Sequence, residues 1–173
     1  MRSQPQPIPL DAETVAHEAP RDHKAELRLW LRLLTCCNLI EGEIRGRLRQ
    51  RFDATLPRFD LMAQLARSDK ELSLGEVSQR LMVTNGNITA LVERLVEQGH
   101  VRRRPAPGDR RVQLVRLTRR GRAAFDEMAA AHADWIAELF ADLDPAEIDR
   151  LMVLLAELKG SVRRAKEADG GER

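Results

Sequence analysis

The chain has 173 residues, a length that suits a single compact domain with terminal tails. Hydrophobic residues make up 43% and charged residues 32%, which provides enough apolar material for a core and excludes disorder as the main state. The net charge of +2 gives by itself no reason to expect nucleic acid as a partner. The sequence has neither a membrane span of roughly 20 apolar residues nor a secretory signal core, so we expect a cytoplasmic protein with no membrane partner.

The reactive side chains do not form a pattern typical of catalysis or metal binding. Cys36 and Cys37 are adjacent, which excludes a disulfide framework and a zinc motif, and the four histidines are scattered. The sequence contains no phosphate-binding loop, nucleophile elbow or dinucleotide-binding glycine motif. We therefore expect no cofactor, no metal and no enzymatic activity.

The N-terminal part of the chain divides into a polar arm and a long helix. Residues 1–22 hold four of the eight prolines and predict a flexible arm. From Lys24 to Arg51, apolar residues recur every three or four positions, which predicts an amphipathic helix with a wide apolar face. Such a face on a terminal helix favours association with a second chain, and packing within the same chain is the alternative.

Three short helices are predicted to follow, each with a recognisable first turn. Pro57 stands near the start of the first helix. Ser73 and Glu76 form a capping box for the second helix. Thr84 caps the third helix, which ends at Gly99.

The remaining sequence predicts a β-hairpin and two longer helices. Residues 101–117 have Pro, Gly and Asp at their centre, and apolar Val112 and Leu114 alternate there with a polar residue. Thr118 caps the next helix, and Asp144 opens the last one with a capping box.

The positive charge is concentrated on the short helices and the hairpin. Residues 73–122 contain 11 Arg and four acidic residues, a net charge of +7, which leaves −5 for the rest of the chain. Guanidinium groups bind phosphate through a fork of donors. Because this charge coincides with a helix-turn-helix pattern and a basic hairpin, it favours double-stranded DNA as a partner over a merely solvated face.

The third short helix, beginning at Thr84, is the candidate for reading base edges. A helix fits the major groove of B-DNA, where Asn bonds to adenine edges and Thr offers a hydroxyl or a methyl group. Gly86 either permits close approach to DNA or simply weakens the first turn. Arg94 either contacts a phosphate or pairs with Glu93 or Glu97.

Three segments resemble the multiple-antibiotic-resistance regulator (MarR) family of winged-helix repressors. They read LSLGEVSQRLMVTNGNITALVERLVEQGHVRR, PGDRRVQLVRLT and TRRGRAAF, and the resemblance extends from about Leu27 to Val162. It implies a mainly α-helical winged helix-turn-helix with a small β-hairpin wing. It also implies N- and C-terminal helices that form a homodimer. The expected parts are an arm over 1–22, a dimerisation region over 23–55 and 123–166, a DNA-binding domain over 56–122, and a flexible tail over 167–173.

The resemblance also implies roles for individual residues. The recognition helix would start at Thr84, and Arg110 would reach the minor groove while Asp109 orients a neighbouring basic side chain. The first turn of this helix carries short, uncharged side chains where many relatives have basic or longer ones, so phosphate contacts and DNA shape are expected to supply much of the specificity. The residues expected to contact DNA are Ser73, Thr84, Asn85, Gly86, Asn87, Thr89, Ala90, Arg94, Arg104, Asp109, Arg110 and Arg111.

Members of the family usually respond to a small molecule, so the resemblance implies a repressor that binds a pseudo-palindromic operator and is released by a small aromatic acid or its coenzyme A thioester. The effector would bind in a cleft between the dimer helices and the winged helix, where an Arg suits a carboxylate or a phosphate. The same aromatic and aliphatic residues are also typical of a simple core. The expected lining is Trp30, Arg32, Leu33, Cys36, Cys37, Arg58, Phe59, Met62 and Phe125.

Two other modes of action remain open. Some relatives sense thiol oxidation through a cysteine in the first helix, but the apolar context LLTCCNLI predicts that Cys36 and Cys37 are buried and inert. A sequence-independent nucleic-acid-binding winged helix would show comparable affinity for unrelated duplexes, whereas an operator-binding protein prefers its site by about 10³-fold or more.

Overall fold

A computed structural model describes residues 24–81 and 85–170. Its mainly helical fold with a small antiparallel sheet confirms the predicted fold class. The chain divides into two compact units, Met1–His132 and Ala133–Arg173. The elements in chain order are α1 Lys24–Phe52, α2 Leu56–Ala66, β1 Leu72–Ser73, α3 Leu74–Leu81, α4 Asn85–Glu97, β2 Val101–Ala106, β3 Asp109–Leu117, α5 Arg119–Leu139 and α6 Pro145–Gly170.

The sheet consists of three antiparallel strands in the spatial order β1-β3-β2. β2 and β3 are the predicted hairpin, and Gly108 supplies the left-handed backbone of its turn with a φ of 85°. β1 pairs with β3 and places Leu72 opposite Val115. The sequence does not predict β1, because two residues are too few to show an alternating pattern.

The core of the first unit lies where α2, α3 and α4 pack against one another and against the sheet. Burial of each large apolar side chain stabilises the fold by about 1.5–3 kcal/mol relative to exposure. The apolar positions predicted for the three short helices are among the buried residues. These include Phe59, Met62, Leu65, Val77, Ile88, Val92 and Leu95, which are joined by Leu72 and Val115 from the sheet.

Hydrogen bonds confirm two predicted capping boxes. The Ser73 N–H donates to Glu76 Oε2 (2.7 Å), and the Glu76 N–H donates to Ser73 Oγ (3.2 Å). The Asp144 N–H donates to Glu147 Oε2 (2.9 Å), and the Glu147 N–H donates to Asp144 Oδ1 (2.8 Å). Both helix starts were predictable because a capping box is a contact between residues three apart.

The hairpin buries the face opposite to the one that the alternation indicates. Val115 and Leu117 are buried, whereas Val112 is 38% exposed and Leu114 is only partly buried. Successive side chains of a strand point to opposite faces, so burial of Val115 places Leu114 on the outer face. The helices cover only the face of Val115, which decides the outcome.

α1 spans Lys24–Phe52, one residue beyond the predicted end. Its C-terminal half contributes Ile44 and Leu48 to the core, but Trp30 is 58% exposed and Leu39 is 70% exposed. The predicted apolar face therefore extends well beyond the part that the described chain covers. The predicted arm over 1–22 lies outside the described residues.

α6 exposes a continuous apolar run. The helix reaches Gly170, whereas the sequence predicts a flexible tail from residue 167; Glu167 and Ala168, the first residues of that tail, are good helix formers and continue the helix. Among the described helices, none combines the length and apolarity that a membrane crossing requires. The exposed apolar run consists of Leu151, Met152, Val153, Leu154 and Leu155.

Candidate nucleic-acid interface

α4 is amphipathic, and its exposed side is the candidate surface for base edges. Ile88, Val92 and Leu95 are buried in the core. Asn87 and Ala90 are exposed. The helix is therefore anchored by one side, and its other side remains exposed.

The first turn of α4 offers room for close approach. A Cβ on Gly86 would have no neighbouring atom within 4 Å, so packing within the chain does not require a glycine there. α4 begins at Asn85 among the described residues, and Thr84, the predicted cap, lies outside them. Thr89 is half-buried, so it is less accessible than Asn87 and Ala90.

An ion pair joins α4 to the wing. The Glu93 carboxylate lies 3.7 Å from the Arg103 guanidinium of β2. Glu93 therefore pairs with the wing strand, not with Arg94 as one alternative predicted. Arg94 is exposed, and among the described residues it takes part in no ion pair. Its guanidinium is thus available to a phosphate.

The tip of the wing presents two arginines on an ordered turn. Asp109 Oδ1 accepts a hydrogen bond from the Arg111 N–H (2.9 Å), and Gln113 Nε2 donates to the Arg110 carbonyl (3.1 Å). Arg110 and Arg111 are exposed. Asp109 thus orders the backbone of the turn, whereas the resemblance implied an action on a neighbouring side chain.

The base of the wing holds a carboxylate between two arginines. Glu71, just before β1, contacts Arg104 Nη2 through Oε2 and lies 3.2 Å from Arg102 Nη2 through Oε1. The hydrogen bond from Arg104 and the charges of Arg102 and Arg116 lower the pKa of Glu71 below its ordinary value. Arg104, which was expected to contact DNA, is therefore partly neutralised within the chain.

Ser73, which was expected to contact DNA, caps the start of α3. Its Oγ donates to Glu76 Oε2 (2.8 Å) and accepts from the Glu76 N–H. The backbone and hydroxyl hydrogen bonds from Ser73 lower the pKa of Glu76. The hydroxyl is thus already engaged at the start of α3.

The structure brings together part of the expected effector lining. The Phe59 ring stacks on Phe125 with centroids 5.7 Å apart and lies 5.0 Å from the His132 ring. Arg58 and Met62 line a cavity of about 80 Å³ that also contains His100. The other expected residues, Trp30, Arg32, Leu33, Cys36 and Cys37, lie on α1 and line neither this cavity nor the larger one described below.

Both cysteines are exposed in the single chain, so the prediction that they are buried is wrong. The sequence around them is apolar, but the corresponding part of α1 is largely uncovered by the described chain. An apolar context indicates burial only when another element packs against it, and the sequence alone does not show whether that element belongs to the same chain.

A larger cavity, of about 420 Å³, lies between α2 and the outer side of α4. Its walls include Pro57, Leu91 and two charged residues, Asp60 and Arg94. Burial and the negative charge of Glu41 raise the pKa of Asp60. Sequence reasoning missed this cavity because it depends on the distance between two helices, and no local motif reports that distance.

Comparison with known proteins decides the family. The model described as MarR family matches residues 52–112. The crystal structure of a MarR family transcriptional regulator from Silicibacter pomeroyi is 30% identical, with a TM-score of 0.70, and the match covers 83% of this chain and 99% of that one. The chain belongs to the MarR family. It is a winged-helix, DNA-binding transcriptional regulator.

Two other relatives cover most of this MarR-family chain. The transcriptional activatory protein BadR of Rhodopseudomonas palustris is 27% identical over 163 residues, which span 91% of this chain and 93% of BadR. A cysteine mutant of MarR from E. coli, solved in complex with operator DNA, is 25% identical with a TM-score of 0.68. That match covers 80% of this chain and 99% of the E. coli chain.

Proposed function

We propose that this MarR-family protein is a homodimeric repressor that binds a pseudo-palindromic operator and is released by a small aromatic acid or its coenzyme A thioester. The observation that carries the DNA-binding geometry is the packing of β2 against α4, across which Glu93 and Arg103 form an ion pair. With this contact in place, the exposed side of α4 suits a major groove and the Arg110 tip suits the neighbouring minor groove. The similarity to the E. coli MarR that was solved with operator DNA supports the same arrangement.

The exposed apolar surfaces support the homodimer. α1 exposes Leu29, Trp30 and Leu39, and α6 exposes the run from Leu151 to Leu155. Exposed apolar surface of this extent in a soluble chain marks an interaction site. A two-fold axis between two copies would bury it and would place the two α4 helices about one DNA turn apart.

The arginine beside the aromatic cluster supports the effector. Phe59 and Phe125 stack against each other, and Arg58, which adjoins Phe59 in α2, donates to the Asp53 carbonyl (3.1 Å) and to Gln98 Oε1 (2.5 Å) and would exchange these partners for a carboxylate or a phosphate. The alternative trigger is oxidation of Cys36 or Cys37, and the exposure of both thiols in the single chain favours it more than their sequence context did.

Selection of binding sites from a random duplex pool with the full chain tests the DNA-binding proposal. We expect enrichment of a pseudo-palindrome with half-sites about 10 base pairs apart. Arg110→Ala should weaken binding to the selected site and lower the salt slope by about 0.9 for the lost phosphate contact. A pool that shows no enrichment would instead support a sequence-independent winged helix.

A thermal-shift panel of aromatic acids and their coenzyme A thioesters tests the effector. A ligand at 100 times its Kd stabilises the fold by about 2.7 kcal/mol, and Arg58→Gln should abolish the shift. If no compound shifts the melting temperature and peroxide releases DNA, the thiol trigger replaces the acid. Transcription in vitro from a promoter that carries the selected site separates repression from activation. Activation is the second candidate because BadR is described as a transcriptional activatory protein.

A further inference from the structure

The outer face of the wing sheet carries three arginines around one carboxylate. Arg102 lies opposite Arg116 in the β2–β3 register, and Arg104 is two residues further along β2 on the same face. Glu71 directly precedes β1, on the other side of β3. The four residues Glu71, Arg102, Arg104 and Arg116, here called the outer-face cluster, therefore carry a net charge of +2.

Glu71 is enclosed while the arginines remain open to solvent. The Glu71 side chain is only 12% exposed, whereas those of Arg102 and Arg104 are 59% and 49% exposed. The attraction of the surrounding guanidinium groups keeps Glu71 ionised at neutral pH. One carboxylate thus offsets charge on two guanidinium groups that otherwise face outward.

Arg104 is close enough to the wing tip to reach DNA. β2 ends at Ala106, two residues beyond Arg104, which is about 7 Å at about 3.3 Å per residue. A tip placed in a minor groove would bring this guanidinium near the flanking phosphates. Phosphate contacts add affinity for any sequence and carry no sequence information directly.

We propose that Glu71 holds Arg104 away from DNA phosphates and thereby limits the sequence-independent affinity of the wing for DNA. The inference rests on the proposed placement of the wing at the minor groove. Removing the carboxylate raises the charge of the outer-face cluster from +2 to +3 and frees a guanidinium for a phosphate. Affinity then rises for every duplex, because a phosphate contact carries no sequence information directly.

The test compares Glu71→Gln with wild type on a labelled mixed-sequence duplex of about 30 base pairs, by fluorescence anisotropy at several NaCl concentrations. We expect Glu71→Gln to bind about tenfold more tightly at 50 mM NaCl, with a salt slope steeper by about 0.9, the value for one added phosphate contact. The double variant Glu71→Gln/Arg104→Ala should return to the wild-type slope. Asp69→Asn is the matched control, because it removes a carboxylate from the same loop and forms no ion pair among the described residues.

A carboxylate that only fastened the wing would give a different result. Glu71→Gln would then bind more weakly, or as wild type, with an unchanged slope, and either result overturns the proposal. Arg104→Gln provides a second test if Glu71→Gln does not fold: the proposal expects the wild-type slope on mixed DNA, and a slope lower by about 0.9 contradicts it. Arg110→Ala, measured in parallel, separates the wing placement from the role of Glu71. If Arg110→Ala binds DNA as tightly as wild type, the wing placement is refuted. The salt slope of Glu71→Gln still decides the role of Glu71.

Discussion

Gly121 lies so close to the His100 carbonyl that a Cβ on residue 121 would come within 1.9 Å of its oxygen. Thr118 closes the same corner: its N–H donates to the His100 carbonyl (3.0 Å), and its Oγ1 donates to the Gly99 carbonyl (2.7 Å). The Gly121 N–H in turn donates to Thr118 Oγ1 (2.9 Å), which confirms the predicted cap of α5. The start of α5 is thereby fixed against the start of β2.

Gly121→Ala should destabilise the fold by about 1–3 kcal/mol, because the new methyl group forces the backbone of α5 and β2 apart. Urea unfolding of the purified protein measures the change. Gly75→Ala is the control, since a Cβ there would meet no atom closer than 4.0 Å. Equal stability of the two variants would show that the corner relaxes without cost.

Gly86→Ala separates the two interpretations of the glycine in the recognition helix. The open space around Gly86 predicts a gain in stability of up to about 1 kcal/mol from the higher helix propensity of alanine. If the glycine permits close approach to DNA, affinity for the selected operator falls while stability rises. If Gly86→Ala binds the operator as tightly as wild type, the glycine only weakens the first turn of the helix and has no role in DNA contact.

Ser73→Ala should reduce stability by about 0.5–2 kcal/mol through loss of the cap of α3. Ser161→Ala, at an exposed position on α6, is the matched control and should have little effect. Both variants are then compared in operator binding at a temperature where they are fully folded. A fall in affinity with Ser73→Ala alone would add a DNA contact to its capping role, and equal affinities would contradict that contact.

His100 should make stability depend on pH. Burial, followed by the charges of Arg120 and Arg58, lowers the pKa of His100 below 6.5. The unfolded chain therefore binds the proton more readily, so the contribution of neutral His100 is complete above pH 6.5 and is lost as the pH falls towards the folded pKa. His100→Gln should lose less stability than wild type between pH 7.5 and 5.5 in urea unfolding. Parallel pH profiles would contradict this assignment.

Leu151→Glu should convert the proposed dimer into a monomer, because it places a charge within the exposed apolar run of α6. Lys159→Glu changes an exposed polar residue of the same helix and should leave the association unchanged. Sedimentation velocity at micromolar concentration measures both. A wild-type chain that sediments as a monomer would refute the dimer.

The sequence by itself determined the features that depend on neighbouring residues. The capping boxes at Ser73 and Asp144 set helix starts because their hydrogen bonds join residues three apart. The turn around Gly108 and the apolar spacing of α4 were predictable for the same local reason. The basic character of residues 73–122 also follows from composition alone.

Only the tertiary structure decided which face of the hairpin is buried, the pairing of Glu71 with Arg102 and Arg104, and the exposure of Cys36 and Cys37. Glu71 and Arg104 are 33 residues apart and meet because β1 and β2 flank the same strand. Such a contact depends on strand register and on which surfaces the chain covers. Strand register and surface coverage are both set by the packing of distant segments, so a local pattern of residue types does not predict them.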